Sequence, residues 1–130
     1  MSKILIVDDD IGVLGFLKAY FEKKGNIPII AKNGEDALVL VDQERPTMTL
    51  LDVTMPGMSG LEVLKKIREK VPDMVVAMIT GVHDEYLAKE ASSLGAYAYV
   101  TKPFDLYYLG LVVSTGLMMC AEEEKLKGKL

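Results

Sequence analysis

The sequence is poor in the residues that build disulfides and metal centres. Its 130 residues include one cysteine (Cys120), one histidine (His83) and no tryptophan. A single cysteine cannot form an internal disulfide, and with one histidine the chain has no cysteine-built or histidine-rich metal centre. A chain without disulfides is typical of a reducing compartment, so we expect a cytoplasmic protein.

Excess positive charge and long apolar runs are also lacking. Lys and Arg number 15 against 19 Asp and Glu, for a net charge of -4. This argues against nucleic acid as a direct partner, because phosphate backbones are bound by clustered Lys and Arg. The longest apolar stretch, 106–120, is interrupted by Gly, Ser and Thr. It is shorter than the roughly 18 residues of a membrane-spanning helix, and the start of the chain does not fit a signal peptide.

What the sequence does have is a regular alternation of short apolar runs and amphipathic stretches. Strands are predicted at 4–7, 27–31, 47–51, 74–79 and 97–100, and helices at 11–24, after Asn33, and at 59–71, 84–94 and 105–120. The continuously apolar run at 4–7 is typical of a strand covered on both faces. Five such units predict one α/β domain over 1–120, with helices on both faces of a parallel sheet. Residues 121–130 are predicted to be a charged tail or the start of a linker.

Pro28 indicates how the strands are ordered. Proline has no N–H to donate to a ladder, so the second strand belongs at an edge of the sheet. This fits a single doubly wound, five-stranded, flavodoxin-like sheet of order 2-1-3-4-5. Such a sheet binds its ligand at the carboxyl ends of the strands, where the order reverses between strands 1 and 3.

Polar residues stand at four of these carboxyl ends. Asp8 and Asp9 follow the first strand, and Asp52 follows the third. Thr80 directly follows the fourth strand, and Lys102 lies two residues beyond the fifth. Crowded carboxylates need a cation, and oxygen ligands favour Mg²⁺. A carboxylate beside Mg²⁺, with Lys and Thr to hold phosphoryl oxygens, predicts a phosphoryl-transfer site.

Four segments resemble the receiver domain of bacterial two-component response regulators. They read, in order, ILIVDDD, LLDVTMPGMSGLEVLKKIR, MVVAMITG and GAYAYVTKPF. The resemblance covers the chain from Lys3 to about Met118, and its specificity lies in the order and spacing of the segments. It implies that Asp52 accepts a phosphoryl group from a histidine kinase or a phosphotransfer protein. The chain would then be a signalling domain, with only weak self-catalysed phosphotransfer and dephosphorylation.

The resemblance also implies a metal set. Asp9 would bind Mg²⁺ directly with Asp8 as its acidic neighbour, and Asp52 and the backbone carbonyl of Thr54 would complete the protein ligands. Mg²⁺ is therefore the expected cofactor, and no organic cofactor is expected.

Further residues would handle the phosphoryl group and the switch. Thr80 and Lys102 would bind phosphoryl oxygens, and the Lys102–Pro103 bond would be cis. On phosphorylation Thr80 would move toward the phosphoryl group, and Tyr99 would rotate into the vacated space. The surface of helix 4, strand 5 and helix 5 would change shape as a result.

The last predicted helix is apolar around much of its circumference. The helix is either tightly buried or leaves an apolar patch for a partner. We favour the second interpretation, a homodimer or output interface through helix 4, strand 5 and helix 5. The charged tail could extend this helix toward an output domain.

A phosphatase of the haloacid-dehalogenase type is the alternative. That family has a D-x-D motif after its first strand, which Asp8 and Asp10 satisfy, and its nucleophile would be Asp8. The short chain, the lack of a cap domain and the isolated Asp105 after Lys102 argue against it.

Overall fold

The computed structural model describes residues 2–128, and it describes side chains as far as Cys120. The strands are β1 Lys3–Val7, β2 Ile27–Ala31, β3 Met48–Leu51, β4 Val75–Thr80 and β5 Ala98–Thr101. The helices are α1 Ile11–Lys23, α2 Gly34–Glu44, α3 Gly60–Lys70, α4 Glu85–Ser93 and α5 Leu106–Gly128. The predicted alternation of five strands and five helices is confirmed.

The five strands form one parallel sheet in the predicted order, β2-β1-β3-β4-β5. Pro28 lies in the edge strand β2, opposite Ile4 of β1. The missing N–H of the proline is tolerated there because an edge strand pairs on one side only. The order reverses between β1 and β3, so a cleft opens at their carboxyl ends.

Successive residues of β1 face opposite layers of helices. Ile4 and Ile6 belong to a buried cluster with residues of α1 and α5. Leu5 and Val7 belong to a second cluster with residues of α2, α3 and α4. Burial on both faces explains why the run is continuously apolar, and it makes the fold doubly wound.

Local signals place the helix ends. Side chains of Asp10, Asn33, Ser59 and Asp84 accept hydrogen bonds from backbone N–H groups in the first turns of α1 to α4. These caps satisfy donors that have no partner within the helix. The caps of α1 and α3 also fix the loops that follow β1 and β3, where the acidic residues lie.

The last helix extends into the charged tail, one of the possibilities that the sequence left open. α5 has 23 residues, so the backbone of 121–128 continues the helix beyond residue 120. Leu109, Val112 and Val113 are buried, whereas Tyr107, Leu111 and a set of further apolar side chains on this helix are exposed. The side chains of the predicted tail, 121–130, lie outside the described residues, so its role as a linker stays a prediction. Within the described part of the chain, no helix combines the length and apolarity needed to cross a membrane.

One buried hydroxyl in the sheet leads to a stability prediction. Thr49 is fully buried in β3, with Leu5 and Val76 as its neighbours on the flanking strands. Its Oγ1 has no hydrogen-bond partner among the described residues. An unpaired buried polar group costs about 1–3 kcal/mol, so Thr49→Val should raise the free energy of unfolding by about 1–2 kcal/mol in urea denaturation.

Thr115→Val is the matched control for this prediction. The Thr115 hydroxyl donates to the carbonyl oxygen of Leu111 at 2.9 Å, so its removal should bring no gain. A loss of stability in Thr49→Val would mean that the Thr49 hydroxyl is hydrogen-bonded in solution.

Candidate functional site

The sheet brings the predicted polar residues together at the carboxyl ends of its strands. Asp8 directly follows β1 and Asp52 directly follows β3, while Thr80 is the last residue of β4. Lys102 directly follows β5, one residue closer to the strand than predicted. The four strand ends are neighbours, because β1, β3, β4 and β5 are consecutive in the sheet.

Three carboxylates and one ammonium group form the centre of the site. Asp8, Asp9 and Asp52 each offer a carboxylate oxygen, and these oxygens all lie within 4.8 Å of one another. Lys102 Nζ lies 2.6 Å from Asp8 Oδ2 and 3.4 Å from Asp52 Oδ2. The side chains of Asp8 and Asp52 are 4% and 8% exposed, whereas Asp9 faces solvent. The cluster is therefore partly withdrawn from water and open on one side.

The pKa values of Asp8 and Lys102 are both raised above their usual range. Burial raises the pKa of the Asp8 carboxyl, and the neighbouring Asp52 charge adds to this although Lys102 opposes it. Burial alone would lower the pKa of Lys102, but the hydrogen bond that Lys102 donates to Asp8 and the charge of Asp52 outweigh it, and the net pKa is raised. Lys102 therefore stays positively charged beside the carboxylates of Asp8 and Asp52.

The backbone around Asp52 fixes the direction of its side chain. The Thr54 N–H donates to Asp52 Oδ1 at 3.3 Å. The first residue of α3, Gly60, donates its N–H to the Val53 carbonyl oxygen at 2.8 Å. A Cβ on Gly60 would lie 1.9 Å from the Asp52 carbonyl oxygen, so α3 starts directly against the strand end.

The loop after β1 is organised by its acidic residues. The Asp10 N–H donates to Asp8 Oδ1 at 2.9 Å, and Asp10 in turn caps α1 through Gly12 and Val13. Asp10 therefore has a structural role, while Asp9 is exposed and lies beside Asp8 and Asp52.

Thr80 and Tyr99 occupy adjacent strands next to this centre. Thr80 is fully buried, and its Oγ1 accepts a hydrogen bond from the Val82 N–H at 3.2 Å. Tyr99 Oη donates to the Val82 carbonyl oxygen at 2.9 Å. Burial, followed by the charges of Asp84 and Asp52, raises the pKa of Tyr99. Both predicted switch residues thus contact the loop between β4 and α4.

The donor set fits Mg²⁺. Three carboxylates against one ammonium leave two negative charges uncompensated, which suits a divalent cation. All the offered atoms are hard oxygens, the ligands that Mg²⁺ prefers, and an open side leaves room for the waters that it keeps. Thr54 follows Asp52 by two residues, and its carbonyl as a further ligand stays a prediction.

Competition between Lys102 and a metal ion leads to a second stability prediction. Lys102→Met leaves Asp8 buried without its cation, so without Mg²⁺ the free energy of unfolding should fall by roughly 1–3 kcal/mol, since Lys102 is partly exposed. Mg²⁺ should then stabilise the variant more than it stabilises the original chain, because no ammonium competes for the same oxygens. Urea denaturation with and without saturating Mg²⁺ measures both effects.

Lys70→Met is the control for this variant. Lys70 pairs with Asp42 at 2.8 Å on the surface, where an ion pair contributes about 0–1 kcal/mol. Its response to Mg²⁺ should equal that of the original chain. Equal Mg²⁺ responses of the Lys102 and Lys70 variants would contradict a metal site beside Lys102.

Two neighbours of the site were not predicted. Gly60 packs against Asp52 at the start of α3, and this contact depends on the three-dimensional path of the chain. From the sequence, only the helix start is signalled, by Ser59 before it. His83 lies in the loop before α4. It is exposed, but its ring Nε2 also lies 3.1 Å from the Lys102 carbonyl oxygen.

The Lys102–Pro103 bond is cis, as the resemblance implied.

The fold and the acidic pocket at its switch point are those of a receiver domain. A family model described as the response regulator receiver domain matches residues 4–113. The chain belongs to the response regulator receiver domain family, and it is homologous to receiver domains of two-component signalling.

Individual relatives agree with this family. Sporulation initiation phosphotransferase F of Bacillus subtilis (strain 168) is 39% identical over 105 residues, which are 81% of this chain and 85% of that protein. Regulatory protein AtoC of Escherichia coli (strain K12) is 35% identical over 127 residues, which are 98% of this chain and 28% of that protein. A response regulator receiver domain protein (CheY-like) from Methanospirillum hungatei JF-1 has a crystal structure that superimposes with a TM-score of 0.91. It is 30% identical, and the match covers 95% of this chain and 98% of that chain.

The relatives differ in how much lies beyond the receiver domain. This chain spans most of the sporulation phosphotransferase but under a third of the AtoC regulator. It also spans 43% of the alkaline phosphatase synthesis transcriptional regulatory protein PhoP of Bacillus subtilis (strain 168). Output functions of the longer relatives are properties of those proteins.

Proposed function

We propose that this chain is a phosphoacceptor switch in which Asp52 takes a phosphoryl group from the phosphohistidine of a histidine kinase or a phosphotransfer protein. The observation that supports it most directly is the position of Lys102 Nζ, within 2.6 Å of Asp8 and 3.4 Å of Asp52. A cation held beside a carboxylate at the end of a central strand is placed where phosphoryl charge would gather.

The proposed reaction needs only one covalent exchange. A carboxylate oxygen of Asp52 attacks phosphorus, so a P–O bond forms while the P–N bond to the donor imidazole breaks. The bonding electron pair returns to the ring nitrogen, and the product is an aspartyl phosphate. The transition state of phosphoryl transfer is loose, so positioning and charge stabilisation provide most of the catalysis.

The chain supplies these functions from four strand ends. Lys102 stabilises charge on the phosphoryl oxygens, and the Thr80 hydroxyl binds one of them. Asp8, Asp9, Asp52 and the Thr54 carbonyl would hold Mg²⁺, which when bound would neutralise charge on the phosphoryl group. The same arrangement allows slow self-catalysed hydrolysis, and we propose no further enzymatic activity.

The switch would pass through the loop between β4 and α4. Thr80 would turn toward the new phosphoryl group, and Tyr99, which shares Val82 with Thr80 as a hydrogen-bond partner, would follow. The α4–β5–α5 face would then change. We define this face by the exposed aromatic side chains Tyr86 of α4 and Tyr108 of α5.

The α4–β5–α5 face is also the proposed interface. Tyr86 and Tyr108 are 72% and 52% exposed, an unusual position for large side chains. We propose that a second copy of the chain or an output partner covers this face, in the cytoplasm. Sedimentation before and after phosphorylation would distinguish a homodimer from a heterologous partner.

The test of the proposed function is to locate the acyl phosphate. The chain is incubated with acetyl phosphate and Mg²⁺, phosphorylation is followed by intact mass, and the labelled carboxylate is identified by borohydride reduction and peptide mapping. One phosphoryl group on Asp52, absent when the metal is chelated, is expected. A label on Asp8, or repeated hydrolysis of sugar phosphates, would favour the phosphatase alternative.

A further inference from the structure

The backbone of Lys102 is held on both sides by the segment that follows β4. Its N–H donates to the Thr80 carbonyl oxygen at 2.8 Å, which continues the ladder between β4 and β5. Its carbonyl oxygen lies 3.1 Å from His83 Nε2. A carbonyl oxygen can only accept, so His83 Nε2 carries a proton and donates it to this bond.

A third contact joins the same two segments. Tyr99 Oη, on β5, donates to the Val82 carbonyl oxygen at 2.9 Å. Beyond the β4–β5 ladder, in which Thr80 pairs with Thr101, two further hydrogen bonds join residues 81–83 to Tyr99 and Lys102, and one of them is the bond from His83.

We infer that His83 is a positioning residue for the ammonium of Lys102, an inference that rests on the proposed function. The Lys102 ammonium reaches Asp8 and Asp52 through a flexible four-carbon side chain, so the backbone at Lys102 must be held within reach of both carboxylates. Phosphoryl transfer is sensitive to such placement, because small displacements of a stabilising group lower the rate. His83 acts through Lys102 and does not itself bind the phosphoryl group.

The inference is tested with two substitutions of His83. His83→Leu keeps the bulk of the side chain and removes the donor, whereas His83→Gln retains an amide N–H near the position of Nε2. With saturating Mg²⁺, the rate constant of labelling at saturating acetyl phosphate should fall about fivefold in His83→Leu, the value of one hydrogen bond. The half-saturating acetyl phosphate concentration should stay unchanged, and His83→Gln should restore most of the rate constant.

Ser93→Ala is the matched control, because it removes another exposed side-chain hydrogen bond to a carbonyl, from Ser93 Oγ to Glu90 at 2.8 Å in α4. It should label at the original rate. Equal rates in His83→Leu and the original chain would overturn the inference, and so would a His83→Gln variant as slow as His83→Leu. Failure of the original chain to label would instead refute the proposed function, so the two failures are distinguishable.

Discussion

Replacing Asp52 by asparagine is expected to abolish labelling by acetyl phosphate and to make the chain more stable when Mg²⁺ is absent. The loss of labelling should be complete, because an amide is not a nucleophile toward phosphorus and no other carboxylate is proposed to replace it. Intact mass measured over the time course that labels the original chain checks the first result. Urea denaturation with a chelator checks the second.

The sign of the stability change follows from competing charges. Asp52 lies within 4.8 Å of carboxylate oxygens of both Asp8 and Asp9, and each repulsion is worth roughly 3 kcal/mol at an effective dielectric constant near 20. Its attraction to Lys102 at 3.4 Å is worth roughly 5 kcal/mol on the same scale. Two repulsions and the burial of Asp52 outweigh one attraction, so we expect a net gain of about 1 kcal/mol.

Asp42→Asn is the control for this variant. Asp42 is an exposed carboxylate on α2 that pairs with Lys70, so its replacement should leave both labelling and Mg²⁺ stabilisation unchanged. Asp52→Asn should also reduce the stabilisation by Mg²⁺, because one proposed ligand loses its charge. A strong destabilisation of Asp52→Asn would show that the carboxylate is structural, and persistent labelling would show that another residue accepts the phosphoryl group.

The sheet and the composition of the site were predictable because they depend on short-range signals. A proline restricts a strand to an edge wherever it occurs, and Pro28 therefore indicated the order of the strands. The acidic residues directly follow apolar runs, so their convergence followed once the strands were taken as parallel. No distance had to be known for either prediction.

Element boundaries were less predictable, because ladder hydrogen bonds decide them rather than apolarity. The fourth and fifth strands each begin and end one residue later than predicted, at Val75–Thr80 and Ala98–Thr101. Thr80 pairs with Thr101 in this register, and both polar residues are included in the strands. The last helix runs to Gly128 because the Glu, Lys and Leu residues after Cys120 are good helix formers.

The contacts that tune the site were beyond sequence reasoning. The bond from His83 to Lys102 joins residues 19 positions apart through two loops whose paths no periodicity reveals. The approach of Gly60 to Asp52 depends on the angle at which α3 leaves its loop. Such contacts require the path of the backbone, whereas the residue types of the site required only the strand ends.

Gly60→Ala is expected to have the largest effect on stability among simple substitutions near the site. The added Cβ would lie 1.9 Å from the Asp52 carbonyl oxygen and 2.8 Å from the Val53 Cα. Both neighbours are backbone atoms, so neither can rotate away, and either α3 or the end of β3 must shift. Overpacking against backbone should lower the free energy of unfolding by about 3 kcal/mol or more. Urea denaturation measures this loss.

The same displacement should reach the proposed chemistry. Asp52 follows β3 directly, so a shift of its carbonyl group also moves its carboxylate relative to Lys102, and labelling of the folded fraction by acetyl phosphate should slow. Gly15→Ala carries the same change into the middle of α1, where nothing lies within 4 Å of the added Cβ. It should gain about 0.5–1 kcal/mol from the better helix propensity of alanine and label at the original rate. If Gly60→Ala matched Gly15→Ala in both measurements, the close approach of α3 to Asp52 would not exist in solution.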